Sequence, residues 1–426
     1  LAAFAEVPAD LPGRWQQWRR HLPRFQTGIT VRLSWLGLAL MLIFLLAAFF
    51  RFYRLPTLPL DAWSDQAEKL LDVNDVVGGL HPIFFPRNTG REAMQFYITA
   101  GLVSLTGLPV GYLVLKLGTA LVSLWTVPWV YALGRELYGR STAIIATTLF
   151  AVSHWHVAIS RVGLRFPFTA AFATPTLLFF IRALRHNRRN DWLATGFFLG
   201  AGLHTYIPMR IVPLLLLALV AIKLVADSWQ RRDGRRAHPD PAQWQETSLF
   251  SRAFWQNAVL GGATSLLVFL PLLRYLRDEP EMFWYRATSR SLDSAMTFGD
   301  QWQTFWGNVW QALQMFNYDG DVVPTNTIPH SPVVDWVTGG LLILGVVILL
   351  ITLVRRRSRR ELYVLTIWFV LLLPSILSLA FPQENPSVVR TGGAIPWVML
   401  VAALPLAALG RLAAATPQRW SRPLAV

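Results

Sequence analysis

From Leu33 to Phe50 the sequence reads LSWLGLALMLIFLLAAFF, with no charged side chain. A helix needs roughly 20 apolar residues to cross a bilayer, and a run of this kind has no place on a water-exposed surface. Further apolar runs follow at about 112–133, 143–158, 166–183, 192–207, 211–226, 256–276, 334–354, 362–382 and 395–411. The chain is 54% hydrophobic, and runs of this length mean membrane spans. The sequence therefore predicts an all-α polytopic membrane protein with about 10–11 transmembrane helices, its outer-face loops carrying interfacial helices. "MQFYITAGLVSLTGL" (94–108) is short for a crossing and is expected to be re-entrant or interfacial.

The formal net charge of +15 raises the question of nucleic acid. The positive charge is broken into short clusters between apolar runs, "RRHLPR", "RALRHNRR", "RRDGRR" and "RRRSRR". That is the pattern of cytoplasmic loops under the positive-inside rule, and no nucleic-acid partner is expected. With no cysteine in the chain, thiol catalysis and disulfides are excluded. Both termini are predicted to be cytoplasmic, in a bacterial inner membrane. The expected organisation is a basic segment over 1–32, one membrane domain over 33–411 and a tail over 412–426. Loops 51–111 and 277–333 then face outward, no cleavable signal is visible, and the chemistry is expected on the outer side.

The outer side collects charge in particular places. "LPLDAWSDQAEKLLD" brings Asp61, Asp65, Glu68 and Asp72 to the end of the first span. Asp65, Glu68 and Asp72 share one helix face. A carboxylate there can act as general base for an acceptor hydroxyl or amine, or hold a divalent cation. An interfacial helix with an acidic wet face has the same spacing. "HPIFFPRNTGREAMQFY" adds Arg91 and Glu92, "SRVGLR" adds Arg161 and Arg165, and "GLHTYIPMR" adds His204, Tyr206 and Arg210. Arginines outside run against the positive-inside trend. Their planar fork suits phosphate oxygens, so an anionic lipid headgroup is the simplest cause. "FNYDGDVVPTN" supplies Asp319, Asp321 and Asn326, and "NPSVVRTGGAIP" supplies Arg390.

In this order and spacing, over about 45–400, these stretches resemble the polytopic GT-C superfamily glycosyltransferases. The bacterial branch related to protein O-mannosyltransferases and aminoarabinose transferases is the most similar. The resemblance implies a hexosyl- or pentosyltransferase that moves a sugar from a polyprenyl-phosphate donor to a protein, lipid or glycan acceptor on the outer face. Asp65 falls on the Asp of the first-loop Asp-Glu motif and would be the base, with Gln66 in place of the Glu. Arg161, Arg165, Arg210 and Arg390 would hold the donor phosphate. Asp61, Glu68, Arg91, Glu92, His204, Tyr206, Asp319, Asp321 and Asn326 would form the acceptor and sugar pocket. No nucleotide cofactor is implied, and a divalent cation stays open. The alternative is a catalytically inactive subunit or scaffold of a larger membrane complex, which the Gln66 departure favours.

Overall fold

The computed structural model describes residues 34–60, 62–232, 246–291, 296–324 and 326–415. Asp61, the 1–32 segment and the tail beyond 415 lie outside the described residues. The chain divides into two compact units, Leu1–Met41 and Leu42–Val426, and all that follows concerns the second. The boundary falls inside the first helix, α1 (Trp35–Phe52).

The class expected from the sequence is what the structure has: helices throughout the described residues, with one two-stranded hairpin. Seven segments are long and apolar enough to cross a membrane. They are α1, α4 (Tyr112–Tyr138), α7 (Phe168–His186), Ile207–Trp229 with most of α9 (Val212–Arg232), α10 (Arg252–Asp278), α13 (Trp336–Arg356) and Gly392–Ala414 with α15 (Ile395–Ala415). An eighth is the pair α5 (Arg140–Val152) and α6 (His154–Arg161), bent by 47° at Ser153. The other apolar runs are helical but shorter or more charged. α3 (Met94–Thr106) has 13 residues and α8 (Arg189–Gly202) has 14. α14 (Arg359–Ile376) opens on Arg359, Arg360 and Glu361.

α7 and α15 form the centre, and every residue from 391 to 405 is buried. A helix apolar all round is one that packs on all sides. α10 instead lies at the edge and joins through its pairing with α8. A Cβ at Gly196 would run into the Gly261 carbonyl, and one at Gly200 into that of Ser265. Small residues four apart let two backbones approach this closely where no hydrophobic force draws helices together.

The bend at Ser153 is held by a buried cation. Arg51 donates to Ala151 O at 3.1 Å, Ala47 O at 3.0 Å and Ser123 Oγ at 2.7 Å. Its remaining nitrogen meets His156 Nδ1 at 3.0 Å. A guanidinium only donates, so Nδ1 accepts and the imidazole proton sits on Nε2. One carbonyl at the break, that of Ala151, is thus satisfied from α1, and no carboxylate reaches Arg51 among the described residues.

At one end of the bundle the connections build a separate layer. It comprises α2 (Ser64–Val77), β1 (Phe84–Phe85), β2 (Arg91–Glu92), α3, α11 (Pro280–Ser291), α12 (Phe298–Gln314) and the 382–394 segment.

Candidate active site

The hairpin organises this layer. β1 and β2 pair antiparallel with Phe84 opposite Glu92. The turn between them runs through Asn88, Thr89 and Gly90 at φ 47, 64 and 89°. Glycine is required at the last, where a Cβ would meet the Phe84 ring at 2.7 Å. A β-branched residue at Thr89's φ is strained by about 1–3 kcal/mol, so neighbours must fix it. Asn88 Nδ2 donates to Asp65 Oδ1 at 2.5 Å, and Arg286 of α11 donates to Asn88 O at 3.1 Å. The strained turn thereby ties Asp65 to Arg286.

Adjacent residues of a strand point to opposite faces, so Arg91 and Glu92 serve two different networks. Arg91 is buried and turns to α2, donating to Asp72 at 3.1 Å and to Glu68. Arg87 joins the same Asp72 at 2.7 Å and Asp75 at 2.5 Å. The acidic face of α2 is therefore turned against arginines, with Asp72 buried and Glu68 and Asp75 partly exposed. Glu92, also buried, accepts from Arg165 at 2.7 Å and Arg210 at 2.9 Å. A third carboxylate, Glu384, accepts from Arg290 at 2.7 Å and from Arg390. One carboxylate shared by two guanidinium groups leaves the Glu92 and Glu384 clusters each a positive charge in excess, whereas around Arg87 and Arg91 three acids outnumber two cations.

These clusters meet at a cavity of about 510 Å³ lined by Asp65, Arg210, Arg286, Arg290, Glu384 and Arg390. Phe166, Tyr206 and Trp284 give it aromatic walls. Four cations face two acids, and Arg286 has no carboxylate bonded to it among the described residues. Burial works against the Asp65 carboxylate. Lys69, Arg286, the Asn88 bond and Arg91 outweigh it and hold Asp65 below the ordinary carboxylate range. Beneath it, Lys69 donates to the Asp65 carbonyl at 2.9 Å. Burial, then the Arg91 charge, push the Lys69 ammonium down to about 7. Burial would also raise Glu384, but Arg290 and Arg390 hold it low.

The candidates from the sequence separate into groups. Asp65, Tyr206, Arg210, Asn326 and Arg390 line the cavity. Arg165, Glu92, Arg91 and Glu68 stand behind it in the charge networks. Arg161 caps the end of α1, donating to the carbonyls of Phe50, Tyr53 and Leu58 at 2.6, 2.7 and 3.2 Å. Asp321 is buried and accepts from Val323 N, Val388 N and Asn326 Nδ2, which clamps the 321–326 loop to the 385–391 loop. Asp319 is exposed and pairs with His330 at 2.8 Å. His204 donates Nε2–H to Val268 O at 3.0 Å.

Gln66 has a role in the frame. Its carbonyl oxygen accepts from Trp63 N at 3.1 Å, and its amide donates to Val162 O at 3.0 Å. A glutamate could cap the helix in the same way, but an ionised one could not donate to that carbonyl. Sequence reasoning missed Lys69, Asn88, Arg286, Arg290 and Glu384. The i, i+4 pair Arg286–Arg290 was the available signal for two of them. Among the described residues no three His, Asp or Glu side chains converge as a metal site. The surroundings of Asp65 suit a divalent cation poorly, because an amide N–H and several cations already bear on that carboxylate.

The family model described as dolichyl-phosphate-mannose-protein mannosyltransferase matches residues 92–234, a stretch that includes Glu92, Arg161, Arg165 and Arg210. No curated protein matches the chain. Among solved structures, the chain is similar to the oligosaccharyltransferase AglB of Archaeoglobus fulgidus, in complex with an inhibitory peptide and a dolichol-phosphate. The TM-score is 0.53 at 14% identity, over 92% of this chain and 54% of that one. ArnT from Cupriavidus metallidurans bound to undecaprenyl phosphate gives 0.52 at 13%, over 89% and 63%. The Archaeoglobus enzyme with zinc and sulfate gives 0.52 at 14%, over 88% and 49%. The chain thus spans between about half and two thirds of the length of these proteins. At such identities the likeness establishes the fold alone, a multi-pass membrane fold shared with these proteins.

Proposed function

We propose that the cavity transfers a sugar from a polyprenyl-phosphate donor to an acceptor entering from the aqueous side. The observation that carries this reading is the meeting of one ionised carboxylate, Asp65, with an excess of arginines at the end of a membrane bundle. The lipid chain would lie among the spans, with its phosphate against Arg210, Arg286, Arg290 and Arg390. The acceptor hydroxyl or amine gives its proton to Asp65 as it attacks C1. The C1–O bond to phosphate breaks, and the leaving phosphate takes a second negative charge. Preorganised cations stabilise the charge that develops there, usually the largest electrostatic contribution to such a step. Arg165 and Glu92 position Arg210 and do not touch the donor. The expected stereochemical course is inversion, since Asp65 serves as base and the cavity's other carboxylate, Glu384, is engaged by Arg290 and Arg390.

In this reading the cavity faces away from the cytoplasm of a bacterial inner membrane, and both termini lie inside. The dolichol-phosphate and undecaprenyl phosphate bound by proteins of the same fold support a lipid-phosphate donor. Gln66, the departure that favoured an inactive subunit, is accounted for by its bonds to Trp63 and Val162. Binding of polyprenyl phosphate, followed by native mass spectrometry, tests the phosphate site. The native protein should retain one lipid phosphate, and the Arg286→Gln/Arg290→Gln protein should lose most of it. Equal retention by both proteins would remove the arginines from the site.

A further inference from the structure

A second and larger cavity, about 860 Å³, lies at the opposite end of the same helices. α9 begins at the first cavity, with Ile211 beside it, and ends at the second, with Ala226 and Trp229 in its wall. α14 runs the other way, from Ser358 and Leu362 at the second cavity to Pro374 at the first. The second cavity is a groove between α9, the end of α13 and the start of α14. Its long walls are apolar: Ile222, Val225 and Ala226 on one side, Leu353 and Leu362 on the other. The α9 and α13 surfaces that continue it, including Leu217, Leu224, Leu350 and Val354, are exposed. In a spanning helix such surfaces face hydrocarbon.

The end of the groove carries a different chemistry. Arg357, Ser358 and Arg359 line it. Arg359 is already satisfied by Asp227 at 2.7 Å and Glu246 at 3.3 Å. Lys223 completes that group, 3.3 Å from Asp227 and 3.0 Å from Glu246, so two cations and two acids cancel. Arg357 is left over. It is exposed, in the left-handed conformation at φ 45°, directly after Arg355 and Arg356. Among the described residues none of these three guanidinium groups has an ion pair or a hydrogen bond.

We infer that this groove binds one anionic glycerophospholipid, its acyl chains along α9 and α13 and its phosphate at Arg357. The argument is charge complementarity. The apolar walls would accept any acyl chain, whereas the uncompensated Arg357 in the lining, next in sequence to Arg355 and Arg356, selects a headgroup with net negative charge. Basic pockets between spans are where anionic headgroups collect, and Trp229 at the rim suits the interface. The site is separate from the sugar-transfer cavity and does not depend on that reading.

Native mass spectrometry of the protein released from nanodiscs of equal phosphatidylglycerol and phosphatidylcholine tests it. The native protein should keep one phosphatidylglycerol at collision energies that strip phosphatidylcholine. Arg357→Glu should lose that preference, and Ala226→Phe, which fills the groove and keeps the arginines, should lose the bound lipid altogether. The second variant also decides the matter if the first does not fold. Equal retention of the two lipids, or undiminished phosphatidylglycerol on both variants, would overturn the inference. So would full displacement of the lipid by soluble glycerol phosphate, which would mark a site for the free anion.

Discussion

Asp65 and Glu92 are both carboxylates among arginines, and their surroundings give them opposite tasks. Asp65 faces the cavity and accepts from the Asn88 amide, with no guanidinium bonded to it among the described residues, while Glu92 is enclosed by Arg165 and Arg210. Glu92→Gln should therefore act on stability, since removing one partner of a buried ion cluster costs about 3–5 kcal/mol. A lowered Tm in detergent would show it, and an unchanged Tm would contradict the pairing. Lys69 gives a pH dependence. Its ammonium is pushed down to about 7, so the charge is present below that pH and lost above it. Donor KM should rise as pH climbs through 7, because the buried ammonium behind the cavity then loses its charge and no longer adds to the positive field there, and Lys69→Met should flatten that limb. The Asp65 carboxylate, held below the ordinary carboxylate range, should be ionised at neutral pH. Much at this scale was legible, because carboxylates and arginines outside the spans have few innocent explanations. The sharing of Glu92 was not, since its two partners lie 73 and 118 residues away.

Among the elements, the spans read from composition are helices where described, and α3 is short as its apolar run implied. Composition did not show the break at Ser153, because the 143–158 run is mostly apolar and the buried cation that bonds to it, Arg51, comes from another helix. The α8–α10 pairing likewise turns on shape. Gly196→Leu should force the two helices apart and lower Tm by several degrees. Gly262→Leu, on the same α10 with open space around its Cα, should change little. Equal effects would mean that close approach does not hold the pair. Gly90→Ala should be harmful at the hairpin for a different reason: at φ 89° its methyl group meets the Phe84 ring, so both donor turnover and Tm should fall.

For the whole molecule, the basic clusters and the charged layer containing Asp65 lie at opposite ends of the helices where both are described. The natural absence of cysteine allows a direct topology test. Single cysteines at Ala67 and at Arg356 should react with a membrane-impermeant maleimide from opposite sides, and labelling from one side would refute the arrangement. The fold class was legible because span length and charge segregation are set by the bilayer itself. The cavity was only half legible, since α11 supplies Arg286 and Arg290 from a loop that reads, residue by residue, as mainly acidic. The central claim is that this end of the bundle moves a sugar off a lipid phosphate. The measurement that tests it most directly is release of polyprenyl phosphate from radiolabelled polyprenyl-phosphate sugars by the protein in nanodiscs, beside Asp65→Asn. The account predicts release by the native chain and a loss of about 10²–10⁴-fold in the variant, with lipid binding retained. Release unchanged by Asp65→Asn, or no release from any such donor, would contradict it.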